Sequence, residues 1–357
     1  MTLLPTDLET PLRVKFVAKG HRGSDHAVWL RQFPDGVARW GRCVFVFDQA
    51  ESNYDWLVAY DDLAPVGTER FSRRGETVPD QRRSIMLTSE PASVKLYGDA
   101  FLSQFGMVVT GHEEASLRHP HAVRTQPGLR WFYGLSFDPA TQPHLSYNDI
   151  RDRSQPEKTG QISTVCSSKR MGHTLHRQRF DFTQALKERL PELDVFGHGV
   201  RPVNDKAQAI DPYRYHLCIE NHLGAHHWTE KLSDPFLGYA LPLYHGATEA
   251  ERYFPAESFV RVGLDDPQQA AHQIQTLIAE NAYEKRLPAI LEARQRVLTQ
   301  YGPFAVLSRV IESREAELQA AKEAAVPATI YSRHRFRRHH PWGAMGDWLR
   351  SQMYKRR

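Results

Sequence analysis

Apolar runs short enough to be strands alternate with helix-period segments along this chain of 357 residues, and they do so in two series. In the first, LRVKFVA, RCVFVFD, DWLVAYDD, SIMLTSE and MVVTGH read as strands, and SVKLYGDAFLSQF, just before the last of them, reads as a helix. The stretch RDRSQPEKTG, residues 151–160, is charged and without apolar periodicity, and reads as a linker. The alternation then restarts: ISTVCSS (strand), HRQRFDFTQALKERL (helix), LDVFGHG and RYHLCIE (strands), a helix from about Thr229, then LPLYHG and SFVRV (strands). Residues 266–324 read as two or three closing helices, interrupted at Pro288 and at Gly302-Pro303. Strands alternating with helices imply mostly parallel, doubly wound sheets, and the length exceeds what one core usually serves. The expectation is an α/β chain of two Rossmann-like domains facing across a cleft, residues 1–155 and 156–325, followed by a tail, 326–357.

Composition narrows the function classes. Apolar content of 41% and charge of 25% are near the globular average, against wholesale disorder. No apolar run approaches the ~20 residues that span a bilayer. The start, MTLLPTDLETPLRVKF, has acids and proline where a signal peptide has basic residues and then an apolar core. Cys43 and Cys218 sit inside apolar runs, and three cysteines do not make a disulfide framework, so free buried thiols in a cytoplasmic chain are expected. Residues 331–357 hold eight Lys or Arg against one acid, Asp347, interleaved with Phe336, Trp342, Trp348, Leu349, Met353 and Tyr354. That pattern suits peripheral contact with the anionic inner face of the cytoplasmic membrane, with a solvated tail as the plain alternative. Nucleic acid is disfavoured because the remainder of the chain is net negative.

The stretch RYHLCIENHLGAHHWTEKL, residues 214–232, turns polar at Glu220 and Asn221 and again at Thr229, Glu230 and Lys231. Ligands of open parallel sheets bind beyond the carboxyl ends of the strands, and helix starts suit phosphate. A carboxylate there can bridge two ribose hydroxyls, and a lysine can neutralise a phosphate. A capped surface helix with a Glu–Lys pair is the plain alternative. Pro235 predicts that this helix starts later or kinks.

The segment from Tyr213 to Val262 resembles the donor-binding motif of glycosyltransferase family 10, the α1,3/4-fucosyltransferases, of bacterial type. The resemblance rests on Glu220, Asn221, Thr229, Glu230, Lys231, Pro242, Gly246, Pro255, Ser258 and Phe259, and extends more weakly back over Ser163 to Lys206 and into the first domain. It implies a GT-B type fold and GDP-fucose as donor, with Glu230 on the ribose, Lys231 on a phosphate, Asn221 near the ribose or diphosphate, and Arg179 on the diphosphate. His227 stands where the family has tyrosine, and as a donor-binding residue its imidazole can still donate to a phosphate or pack against the sugar; Trp228 stands where the family has valine, and the two changes open the alternative of another sugar nucleotide.

The resemblance also makes Glu90, in SIMLTSEPASV, the general base that takes the acceptor hydroxyl's proton in an inverting transfer. Asp61 and Asp62, at another strand end, are the runner-up acids, and capping of the next helix is the plain alternative for Glu90. No cofactor and no metal is required. His112, His119, His121, His173, His176, His339 and His340 lack a ligand set at zinc spacing. Trp131 and Tyr133 are either acceptor-stacking rings or core. The expected activity is transfer of fucose to a glycan acceptor, lipid-linked or not, in the building of a cell-surface glycan such as lipopolysaccharide. A catalytically silent sugar-nucleotide or glycan-binding protein at the membrane is the alternative from another class. No phosphate-binding loop of the kinase type and no dinucleotide fingerprint occurs in the chain.

Overall fold

The computed structural model describes residues 10–20, 26–138, 140, 142–168 and 175–355. The expectations for residues 1–9, for His173 and for Arg356 and Arg357 lie outside the described residues. The chain forms two compact units, one of Met1–Gly128 with Pro303–Arg357 and one of Leu129–Gly302.

The first unit is built on β1 (Leu12–Ala18), β2 (Arg39–Trp40), β3 (Cys43–Val46), β4 (Trp56–Tyr60), β5 (Gly75–Val78), β6 (Ser84–Leu87), β7 (Met107–Thr110) and β8 (Ala122–Arg124). All but β5 form one sheet in the order β2-β3-β1-β4-β6-β7-β8. It is parallel except for the β2 edge. Alternate residues of its central strands point to opposite faces, and both faces are covered, which explains the unbroken apolar runs. Val14, Phe16, Trp56, Val58 and Ile85 lie in one core cluster. Val17, Leu57, Ala59 and Met86 lie in the other.

The second unit carries a five-stranded, wholly parallel sheet of β9 (Gly160–Val165), β10 (Leu193–Phe196), β11 (Tyr213–Ile219), β12 (Leu241–His245) and β13 (Val260–Arg261), in the order β10-β9-β11-β12-β13. The order in which successive strands are added reverses between β9 and β11, which is where a doubly wound sheet opens a crevice at its carboxyl edge.

Units and expected domains divide at different places. Residues 151–160 are held within the second unit: Lys158 Nζ donates to the carbonyls of Asp211 and Gly238 at 2.9 and 2.7 Å, and Gln155 to the Tyr283 hydroxyl at 2.9 Å. The helix Pro303–Ala321 belongs to the first unit, where Phe304 stacks on Phe33 with ring centroids 4.0 Å apart. Pro288 does not interrupt its helix, Ala282–Thr299; the break comes earlier, at Asn281, whose φ of 52° is left-handed. The helix expected over SVKLYGDAFLSQF shrinks to Asp99–Leu102. The segment before it stays irregular because Lys95 and Tyr97 turn their side chains onto Asp61.

The tail is folded over its described length, against the reading of it as solvated chain. Strand β14 (Ala328–Tyr331) pairs antiparallel with β5, and the helices Arg333–His339 and Pro341–Lys355 follow. Phe336 is buried edge-on to Phe101, 5.7 Å between centroids. Trp342, Met345, Trp348, Leu349 and Met353 of the last helix remain exposed. Among the described residues no helix is long and apolar enough to cross a membrane.

Candidate active site

In the second unit, Glu220 follows directly on β11 and is 1% exposed. Its Oε1 accepts from the Thr229 backbone N–H at 2.8 Å, and both carboxylate oxygens lie within 2.9 Å of the Thr229 hydroxyl. Thr229 in turn caps the helix Glu230–Leu237 by accepting from the Lys231 N–H. The helix thus starts at Glu230, where the strand–helix pattern places it and not later as Pro235 suggested; Pro235 lies near its end, two residues before Leu237. Gly246 makes the close packing here possible: a Cβ at that position would come 2.3 Å from the Tyr244 hydroxyl and 2.5 Å from Glu220 Cγ. Ser258 bonds the Pro255 carbonyl at 2.7 Å and Phe259 packs edge-on to Tyr244. That half of the motif is scaffold.

Five charged side chains, Arg179, Lys206, Glu230, Lys231 and Asp234, line a cavity of about 60 Å³ at the carboxyl edge of β9 and β11, where the strand order reverses. Glu230 and Lys231 pair at 3.1 Å, Lys231 reaches Glu220 at 3.4 Å, and Lys206 reaches Glu230 at 3.4 Å and the buried Asp234 at 2.9 Å. Arg179, 7% exposed and on the helix His176–Arg189, completes the lining, and its Nε is shielded without a hydrogen-bond partner among the described residues. Burial opposes charge on Glu230, yet Lys231 and Lys206 hold its carboxyl well below the usual range. Burial likewise opposes charge on Lys231, and Glu230 and Glu220 overcome it, keeping the ammonium. Glu220 goes the other way: burial raises it, and Lys231 offsets only part. The site therefore sets the two ammonium groups and the guanidinium against buried carboxylates, and the cavity has room for a polar group such as a phosphate or ribose edge, not for a whole nucleotide.

Asn221 and His227 do not line this cavity. The Asn221 carbonyl accepts from the Leu175 N–H at 3.2 Å, tying the end of β11 to the start of the Arg179 helix, and its Oδ1 is shielded without a partner among the described residues. His227 is buried with its ring edge-on to His222, 5.6 Å between centroids. Trp228 is 1% exposed and packs against Tyr253, Phe254 and Tyr301, so its departure from the family pattern falls in the core and leaves the cavity unchanged. Trp131 and Tyr133 are core as well, at 1% and 0% exposure, not open stacking rings. The sequence reading missed Lys206 and Asp234. Both lie in or beside resembling segments, but nothing in their spacing separates them from ordinary surface charges.

In the first unit, Glu90 is exposed on the turn after β6, and its carboxylate has no partner among the described residues. Its backbone is held at both ends: the N–H points to the Tyr97 hydroxyl at 3.4 Å, and the carbonyl accepts from His112 Nε2 at 2.8 Å. The runner-up acids are consumed by structure. Asp61, at φ 69° beyond β4, is buried against Tyr97, Lys95 and Lys19. Burial acts to raise its carboxyl, and Lys95, Tyr97 and Lys19 together bring it below the ordinary range. Asp62 accepts from the backbone of Leu63 and Arg333.

Residues 155–286 match the family described as Glycosyltransferase family 10 (fucosyltransferase) C-term. The chain is 30% identical over 119 residues to an alpha-(1,3)-fucosyltransferase of Helicobacter pylori, covering 32% of this chain and 23% of that protein. It is 29% identical over 110 residues to a 4-galactosyl-N-acetylglucosaminide 3-alpha-L-fucosyltransferase of Gorilla gorilla gorilla, covering 29% of each. The match thus spans about a quarter of the length of these relatives. Among solved structures, an alpha1,3-fucosyltransferase aligns over 80% of this chain and 83% of its own, at 17% identity and a TM-score of 0.48.

Proposed function

We propose that this chain is a member of glycosyltransferase family 10, whose C-terminal segment residues 155–286 match, and that it is an inverting glycosyltransferase carrying fucose from GDP-fucose to a hydroxyl of a glycan acceptor. The observation that carries the proposal is the convergence of Arg179, Lys206, Glu230 and Lys231 where the strand order of a parallel sheet reverses, inside the family-matching segment. Lys231 and Arg179 receive the diphosphate charge that grows as the glycosyl bond breaks, and Glu230 accepts from ribose hydroxyls. Glu90, exposed and held by its backbone, takes the proton of the acceptor hydroxyl. Charge is met by side chains throughout, so the scheme calls for no cofactor or metal.

The finer reading makes the acceptor a lipid-linked or lipopolysaccharide glycan and the chain a cytoplasmic one that touches the inner membrane face. Support comes from the last helix, where Trp342, Met345, Leu349 and Met353 recur at three- and four-residue spacing, exposed, beside the basic residues of the tail.

Calorimetric titration with GDP, UDP and CMP, on the wild type and on Lys231→Ala, tests the donor assignment. Preferential GDP binding that weakens in the variant is expected. Preference for UDP would keep the site and overturn the donor. Absence of binding for all three would leave the silent glycan-binding protein as the better reading.

A further inference from the structure

Glu90 is exposed, yet two buried side chains from different parts of the first unit reach its main chain. One is Tyr97, whose hydroxyl donates to Asp61 and turns its oxygen toward the N–H groups of Ser89 and Glu90, at 3.3 and 3.4 Å. The other is His112, 4% exposed and two residues beyond β7, whose Nε2 donates to the Glu90 carbonyl at 2.8 Å. A carbonyl only accepts, so Nε2 carries the hydrogen.

The imidazole is itself fixed. Its ring lies edge-on to Tyr97, 5.4 Å between centroids, and Nδ1 is 3.3 Å from the Ser116 hydroxyl. The His112 N–H donates to the Thr110 hydroxyl at 3.0 Å, and that hydroxyl lies 2.7 Å from the hydroxyl of Thr88. Thr88, directly after β6, and the end of β7 are thereby joined beside the turn. Pro91 adds a third constraint by disfavouring helical backbone at Glu90. A turn open to solvent has water at hand for its main chain, whereas a buried imidazole gives up water to reach one. The effect of the arrangement is to fix the backbone of Glu90 and leave only side-chain rotations to its carboxylate.

We propose that His112 is a positioning residue for the proton transfer: by holding the Glu90 carbonyl, it keeps the carboxylate where the acceptor hydroxyl is met. The inference rests on the assignment of Glu90 as general base. A base must stand within hydrogen-bond reach of the proton it takes, and a misplacement of about 1 Å can cost on the order of 10²-fold in rate.

Release of GDP from GDP-fucose in a single turnover, with water in the place of the acceptor hydroxyl, reads this step without a choice of glycan. His112→Gln and His112→Met carry side chains of similar length, with and without an N–H donor. His112→Met is expected to slow release about tenfold or more, and His112→Gln to restore most of the rate, with GDP affinity and melting temperature alike in the two variants. In the Glu90→Gln background His112→Met should add no further loss, because the group through which His112 acts is gone. Wild-type release by His112→Met, an equal loss in His112→Gln, or a full further loss in the Glu90→Gln background each overturns the proposal. Failure of the premise looks different: Glu90→Gln alone then keeps the wild-type rate, and the assignment of the base falls together with this inference.

Discussion

The Glu220 carboxylate accepts both the backbone N–H and the hydroxyl of Thr229, nine residues further on, and so fastens the end of β11 to the start of the helix that presents Glu230 and Lys231. Glu220→Ala removes this tie and leaves Lys231 with one carboxylate in place of two. Breaking a buried ion pair from one side costs about 3–5 kcal/mol, and the urea unfolding midpoint should fall accordingly. A change of less than about 0.5 kcal/mol, the scale of ordinary surface substitutions, would mean that Glu220 is not structural.

Gly246→Ala puts a methyl where Glu220 Cγ and the Tyr244 hydroxyl already stand. Overpacking of this kind costs about 1–3 kcal/mol. The shift must be absorbed by Glu220 or Tyr244, so the variant should lose nucleotide affinity together with stability. Wild-type affinity and stability in the variant would refute the close packing argued for this glycine.

Glu90→Gln is expected to lower the transfer rate by about 10²- to 10⁴-fold, the usual worth of a general base, with GDP affinity and melting temperature unchanged. Asp61→Asn should do the reverse. It leaves Lys95 and Lys19 without their common carboxylate, so the melting temperature falls first. If Asp61→Asn abolishes transfer in a fully stable protein while Glu90→Gln remains active, the two assignments are exchanged.

Stability should decline with acid through His216. This imidazole is buried on β11 with Nδ1 2.8 Å from the Ser163 hydroxyl, and burial first, then Lys206 and Lys158, bring it from 6.5 down to about 3. The unfolded chain takes up a proton below pH 6.5 that the folded chain refuses until about 3. Its stabilising contribution is therefore complete above 6.5 and is lost as pH falls from there toward 3. His216→Asn should flatten that part of the curve of unfolding midpoint against pH; an unaltered slope would exclude this histidine as its source.

The sequence alone determined what local periodicity and local chemistry determine. The strand LRVKFVA is β1 residue for residue. The Thr229 cap and the helix behind it were legible because capping acts between neighbours in the chain, and so was the adjacency of Glu230 and Lys231. Everything that needs distant segments to meet was decided by the tertiary structure. Lys206 enters the site only because the loop preceding Ala207–Ile210 comes to the carboxyl edge of β11. Asp61 and Glu90 look alike as acids at strand ends, and only packing gives one of them three cationic or hydroxyl partners while leaving the other carboxylate exposed. The unit boundaries follow the same rule. The helix Pro303–Ala321 has the pattern of any closing helix, and its unit is chosen by Phe304 finding Phe33, 271 positions earlier. Periodicity records which face of an element must be buried; it does not record the partner that buries it.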